Sequence, residues 1–188
     1  IPNMTVLAPC DAIEAKKTTL AAVELDGPVY IRFTREKTPV FTTPETPFKI
    51  GKAEIFFSPP AGGLKVVVVI IGCGPLVHNA VLAAAELEKE GVGITVINSP
   101  SVKPLDEKLI LDIVKDAGAV VSVEEHQITG GLGSAVAELL AKNCPVPMEF
   151  VGVQNRFGES GNPNELIEHF GMGVLDIVKA VRKVISRK

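Results

Sequence analysis

"KVVVVIIGCGPLVHNAVLAAAELEKEGVGITVIN" (residues 65–98) holds two apolar runs, joined by a glycine turn and a stretch whose apolar residues recur at helical spacing. In "KVVVVI" (Lys65 to Ile70) and "GITVIN" (Gly93 to Asn98) apolar residues follow one another without polar alternation, so both faces of each strand need cover. Between them Val77, Ala80, Val81, Ala84 and Leu87 fall three and four apart, the spacing of a helix with one buried face. Strand, helix, strand in this order predicts a parallel pair with a right-handed crossover.

The same alternation continues downstream. "AVVSVE" (Ala119 to Glu124) and "MEFVGV" (Met148 to Val153) read as further strands, and Leu109, Ile110, Ile113 and Val114 mark another helix. The fold class expected is α/β, a mostly parallel sheet covered by helices on both faces.

Upstream the pattern is less regular. "MTVLAP" (Met4 to Pro9) reads as a strand, after which Asp11 caps a helix running to about Leu25, with Glu14 completing a capping-box-like pair. "VYIRFTR" (Val29 to Arg35) has the β-branched and aromatic content of a strand. Next, Pro39, Pro44, Pro47, Pro59 and Pro60 with Gly62 and Gly63 disfavour long regular elements, so this stretch reads as a linker, with a short strand around Ala53 to Phe57. No internal repeat or low-complexity tract is present.

Composition narrows the function classes. The 188 residues are 46% hydrophobic and 22% charged, with a net charge of -3, a balance that supports one good core and a soluble globular protein. No basic stripe suited to a phosphate backbone is present, which argues against nucleic acid as a partner. The longest purely apolar run, Val66 to Ile71, is far short of the roughly 20 residues that cross a bilayer, so no membrane partner is expected. Cys10, Cys73 and Cys144 are widely spaced and odd in number, which favours reduced thiols and a cytoplasmic setting. The chain opens at Ile1 inside a predicted strand, as a section of a longer protein would.

Two motifs carry candidate chemistry. "IGCGPLVHNAV" (Ile71 to Val81) places glycines between a strand and a helix, where amides can hold a phosphate. It matches a dinucleotide fingerprint only in part, because larger residues occupy the third glycine position and Asn98 stands where a ribose-binding acid would close the next strand. A free-standing nucleotide-binding regulatory domain is the alternative it supports.

"VEEHQITGGLG" (Val123 to Gly133) brings Glu124, Glu125 and His126 next to Gly130 and Gly131. Neighbours on an extended segment point to opposite sides, so at most two could meet one ion, and no metal site is expected. General acid or base work by Glu124 or His126 is chemically open at the carboxyl end of a parallel strand. Structural hydrogen bonding by the same side chains is the stronger expectation, and the glycines suit close approach of backbone to another surface.

The blocks "IPNMTVLAPCDAIEA", "GPVYIRFTRE", "PFKIGKAEI", "SVKPLDEKLI", "VEEHQITGGLGSAVAELL" and "NRFGESGNPNELIEHFGM" occur in the order and near the spacing seen in transketolases. The chain resembles the C-terminal part of that family. The resemblance implies a pyrimidine-binding domain tail over 1–45, a linker over 46–64 and a transketolase C-terminal domain over 65–188. The first five blocks are shared with 1-deoxyxylulose-5-phosphate synthase and with the beta subunits of 2-oxo acid dehydrogenases, which stand as alternatives. The last resembles transketolase, especially the separately encoded C-terminal sections of some prokaryotes.

By that resemblance the complete enzyme uses thiamine diphosphate and Mg²⁺ to move a two-carbon ketol unit between sugar phosphates. Its cofactor-binding and catalytic residues lie in family segments outside this chain, so neither a bound cofactor nor activity is expected of this chain by itself. The partners implied are the N-terminal section of the same enzyme, a second copy in a homodimer and sugar phosphates. Arg35 aligns with the family arginine that contacts the substrate phosphate, with Thr34 in place of the usual serine. Glu124, His126, Gly130 and Gly131 are candidates for polar contacts near an interface, and no catalytic residue is assigned.

Overall fold

The computed structural model describes all 188 residues. In chain order the elements are β1 (Thr5–Leu7), α1 (Ala12–Val23), β2 (Val29–Ile31), β3 (Glu54–Phe57), β4 (Val66–Gly72), α2 (Leu76–Lys89), β5 (Gly93–Asn98), β6 (Ser101–Lys103), α3 (Glu107–Ala117), β7 (Val120–Gln127), α4 (Leu132–Asn143), β8 (Met148–Val153), α5 (Pro163–His169) and α6 (Val174–Ile185).

The main sheet has the order β3-β5-β4-β7-β8. β4, β5, β7 and β8 are parallel, and β3 is an antiparallel edge on β5. Alternation along the central strands divides the core in two. Val68, Ile70, Ile94, Val96, Val121 and Val123 pack against α2 and α6, while Val69, Ile71, Ile97 and Val120 pack against α3 and α4. The apolar runs read from the sequence are therefore buried on both sides, each large side chain contributing about 1.5 to 3 kcal/mol of transfer free energy.

The stretch read as a linker supplies β3, within the short strand expected there. Its pairing with β5 makes it the outer edge of the main sheet.

A second, small sheet has the order β2-β1-β6. β1 runs parallel to β2 and antiparallel to β6, which follows β5 directly. The N-terminal segment is thus stitched to the rest of the chain by a strand that the apolar pattern does not reveal. β2 ends at Ile31, short of the predicted Arg35, because its partner β1 is itself only three residues long.

Side chains around α1 complete the stitching. Asp11 is the N-cap, its Oδ1 accepting from the Glu14 amide at 2.9 Å. The expected reciprocal bond from Glu14 falls one residue earlier: Glu14 accepts from the Cys10 amide at 2.7 Å and from Asn98 Nδ2 at 2.7 Å. Glu14 is buried, and burial pushes its carboxyl above the usual range against the pull of these donors. A local capping signal has become a tie between α1 and the end of β5.

Candidate functional site

In the main sheet the chain leaves β4 for β5 on one side and then crosses to β7 on the other. Open α/β sheets form a crevice at the carboxyl ends of strands where the order reverses in this way. A cleft of about 810 Å³ opens there, bounded by Pro75, Leu76 and Asn79 at the start of α2 and by Glu125, His126 and Gln127 at the end of β7. Its other wall is the N-terminal segment from Arg32 to Pro39, and Phe170 and Met172 add apolar surface.

Arg35 and His126, separate in the sequence, both line this cleft. The Arg35 side chain is exposed and pairs with no carboxylate. His126 is about half exposed, and its Nδ1 lies 2.8 Å from the Gln127 carbonyl oxygen.

Glu124 faces away from the cleft. It is 2% exposed, and its two oxygens accept from the amides of Leu132 and Gly133, each at 2.8 Å. These are donors of the first turn of α4, which lack partners within the helix. Burial pushes the Glu124 carboxyl above its ordinary range, with the two amides pulling it back. His126 Nδ1 is 3.9 Å from Glu124 Oε2, too far for a hydrogen bond.

Two of the motif's three glycines, Gly131 and Gly133, stand against this carboxylate, while Gly130 makes the turn before them. Gly130 has φ 81° and donates to Ser134 Oγ at 2.8 Å. A Cβ on Gly131 would stand 2.0 Å from Glu124 Oε2, and one on Gly133 would stand 2.5 Å from Ser122 Oγ. Glu124 is thus an N-terminal anchor for α4, and Gly131 is the clearance that lets the helix reach it.

The glycine turn after β4 uses its amides within the fold. Cys73 N–H donates to Val123 O at 3.2 Å and Gly74 N–H to Ala8 O at 3.0 Å. Two donors that a phosphate cradle would require are committed, one of them to the N-terminal segment.

Two features of the cleft escaped the sequence reading. Arg32 Nη2 approaches Glu125 Oε1 at 3.7 Å across the cleft wall, joining residues whose proximity no spacing rule encodes. The block from Arg156 to Met172 folds back on itself beside the cleft: Arg156 lies 2.6 Å from His169 Nε2 and 3.1 Å from Glu159 Oε1, with its Cζ 4.4 Å from the Phe170 ring centroid. Its alternation of arginine, acid, histidine and aromatic residues was the available signal. No group of three His, Cys, Asp or Glu side chains could hold a metal ion, and no helix is long and apolar enough to cross a membrane.

Comparisons with known proteins agree with this architecture. The sequence profile described as "Transketolase, C-terminal domain" matches residues 65–177. The chain is 41% identical over its full length to a 6-deoxy-6-sulfo-D-fructose transketolase subunit of Clostridium sp. (strain MSTE9), covering 56% of that protein. It is 33% identical to a putative transketolase C-terminal section of Methanocaldococcus jannaschii, covering 58% of it. A solved structure described as a split gene transketolase, inactive beta4 tetramer, superposes with a TM-score of 0.91 at 38% identity, over 99% of this chain and 59% of that one. The chain therefore spans a little over half the length of these relatives. The chain belongs to the transketolase family, as a C-terminal section whose residues 65–177 match the family's C-terminal domain.

Proposed function

We propose that this chain is the C-terminal section of a thiamine diphosphate-dependent transketolase that transfers a two-carbon ketol unit between sugar phosphates, and that Arg35 binds the substrate phosphate. The observation that carries the reading is the placement of Arg35. Its exposed, unpaired guanidinium stands at a cleft on the carboxyl side of the sheet, and a planar fork of donors matches a phosphate dianion.

When bound, the coenzyme supplies the carbanion chemistry. The lack of a group of three ligating His, Cys, Asp or Glu side chains and the engagement of the Cys73 and Gly74 amides within the fold support a seat for its diphosphate and Mg²⁺ in the partner section. This chain's part is to bind and orient the sugar phosphate and to offer an assembly surface to an N-terminal section and a second copy. That the relatives include a transketolase subunit and a C-terminal section supports a partner section.

Ketol transfer from xylulose 5-phosphate to ribose 5-phosphate, assayed with thiamine diphosphate and Mg²⁺, tests the reading. Activity is expected only after an N-terminal section is added. Failure of a folded, bound mixture, together with consumption of pyruvate, would replace it with the pyruvate-using chemistry of a deoxyxylulose-phosphate synthase. In the active mixture Arg35→Ala is expected to lower kcat/KM for phosphorylated sugars by about 2 to 4 kcal/mol, the range for losing a charge-assisted contact in a desolvated site. An unchanged kcat/KM would remove Arg35 from the site.

A further inference from the structure

We propose that Glu125, at the end of β7, is a positioning residue that sets the aim of Arg35 by holding Arg32; this rests on the phosphate role proposed for Arg35. β2 ends at Ile31, and beyond it the main chain of Arg32 makes one further ladder bond, its N–H donating to Leu7 O at 2.9 Å. From there to Phe41 the segment carries no regular structure. It is next tied down where the amides of Phe41 and Thr42 donate to Asp11 Oδ2, at 2.9 and 2.7 Å.

Between these ties the segment has one ion pair to the main sheet, Arg32 Nη2 to Glu125 Oε1 at 3.7 Å. The two side chains are 36% and 30% exposed, so water screens the pair less than it would at the open surface. Arg35 lies three residues beyond Arg32, on the same cleft wall.

The orientation of Glu125 follows from its neighbour. Strand alternation sends Glu124 and Glu125 to opposite sides, and Glu124 is locked onto the first turn of α4 by two amide bonds. With Glu124 fixed, Glu125 is directed at the cleft, where burial pushes its carboxyl up and Arg32 draws it back. A partly exposed pair of this length contributes little to global stability. Its consequence is geometric, since a displacement on the order of 1 Å at a substrate-positioning group can cost a large factor in rate.

The test uses the reconstituted two-section enzyme and two acceptors, ribose 5-phosphate and unphosphorylated glycolaldehyde. Glu125→Gln is expected to raise KM for ribose 5-phosphate about ten-fold, with kcat, the melting temperature and kcat/KM for glycolaldehyde nearly unchanged. The exchange Arg32→Glu with Glu125→Arg is expected to recover most of the loss. An unchanged KM for ribose 5-phosphate, in an assay where Arg35→Ala raises it, would overturn the positioning role and leave the Arg35 reading standing. Equal losses with both acceptors would overturn it as well, by showing a general structural effect. If Arg35→Ala itself changes nothing, the phosphate reading fails first and the inference falls with it.

Discussion

Replacing Asp11 with alanine is expected to lower the free energy of unfolding by about 4 to 6 kcal/mol, because one carboxylate satisfies four donors. Its Oδ1 accepts from the Glu14 amide at 2.9 Å and from Thr42 Oγ1 at 2.8 Å, and its Oδ2 accepts from the amides of Phe41 and Thr42. Asp11 is 4% exposed and Thr42 5%, so donors released there do not regain water freely. Removing the acceptor charges the full desolvation of those groups to the folded state and also deletes the cap of α1.

Urea denaturation at neutral pH, followed by circular dichroism, reads the change. Asp11→Asn keeps an acceptor at the cap and is expected to lose roughly half as much. The pH dependence has a defined sign. Burial pushes the Asp11 carboxyl up, but the four donors outweigh it and hold the carboxyl below its usual range. A depressed folded pKa contributes stability that is present above the unfolded value and lost as the pH falls through the folded one. The advantage of the native residue over Asn should therefore be full at neutral pH and shrink in acid. An Asn variant as stable as the native chain across that range would show that the carboxylate charge has no part in the tie.

The second large effect is expected at Gly131, where alanine should destabilise the chain by roughly 3 to 5 kcal/mol. The cause is lost clearance rather than backbone strain, since Gly131 has φ -97° and ψ -157°, which any residue adopts. An added Cβ would sit 2.0 Å from Glu124 Oε2 and 2.9 Å from Gln127 O. The carboxylate cannot step aside without dropping the Leu132 and Gly133 amides. Glu124→Ala should cost about 3 to 4 kcal/mol by leaving those two amides without an acceptor.

Because both changes break one contact, the double variant should cost about 1 to 3 kcal/mol less than the two losses added together. The contact with Gln127 O remains in the double variant and keeps it below Glu124→Ala alone. Strict additivity in urea midpoints would refute the shared contact.

The legible parts of this molecule are those encoded at short range. Val66 to Ile71 and Gly93 to Asn98 are apolar without alternation, so the sheet had to be covered on both faces, and it is. Asp11 was readable as a cap because its first acceptor bond is local. The cleft was half legible. Arg35 and the Glu124 to Gly131 motif stand out by residue type, yet within that motif Glu125, His126 and Gln127 line the cleft with Arg35, while Glu124 turns inward to α4.

By itself the sequence determined the α/β class, the order of strands and helices in the second half, and the family, through periodicity and ordered motifs that depend on neighbours a few residues apart. Tertiary structure alone decided that β6 pairs with β1, that Asp11 holds Phe41 and Thr42, that Glu14 meets Asn98, and that Glu125 meets Arg32. These contacts join segments distant in the chain. Each polar group in them has several partners of equal chemical merit, and only the packing of the two core layers brings one within reach and removes water from it.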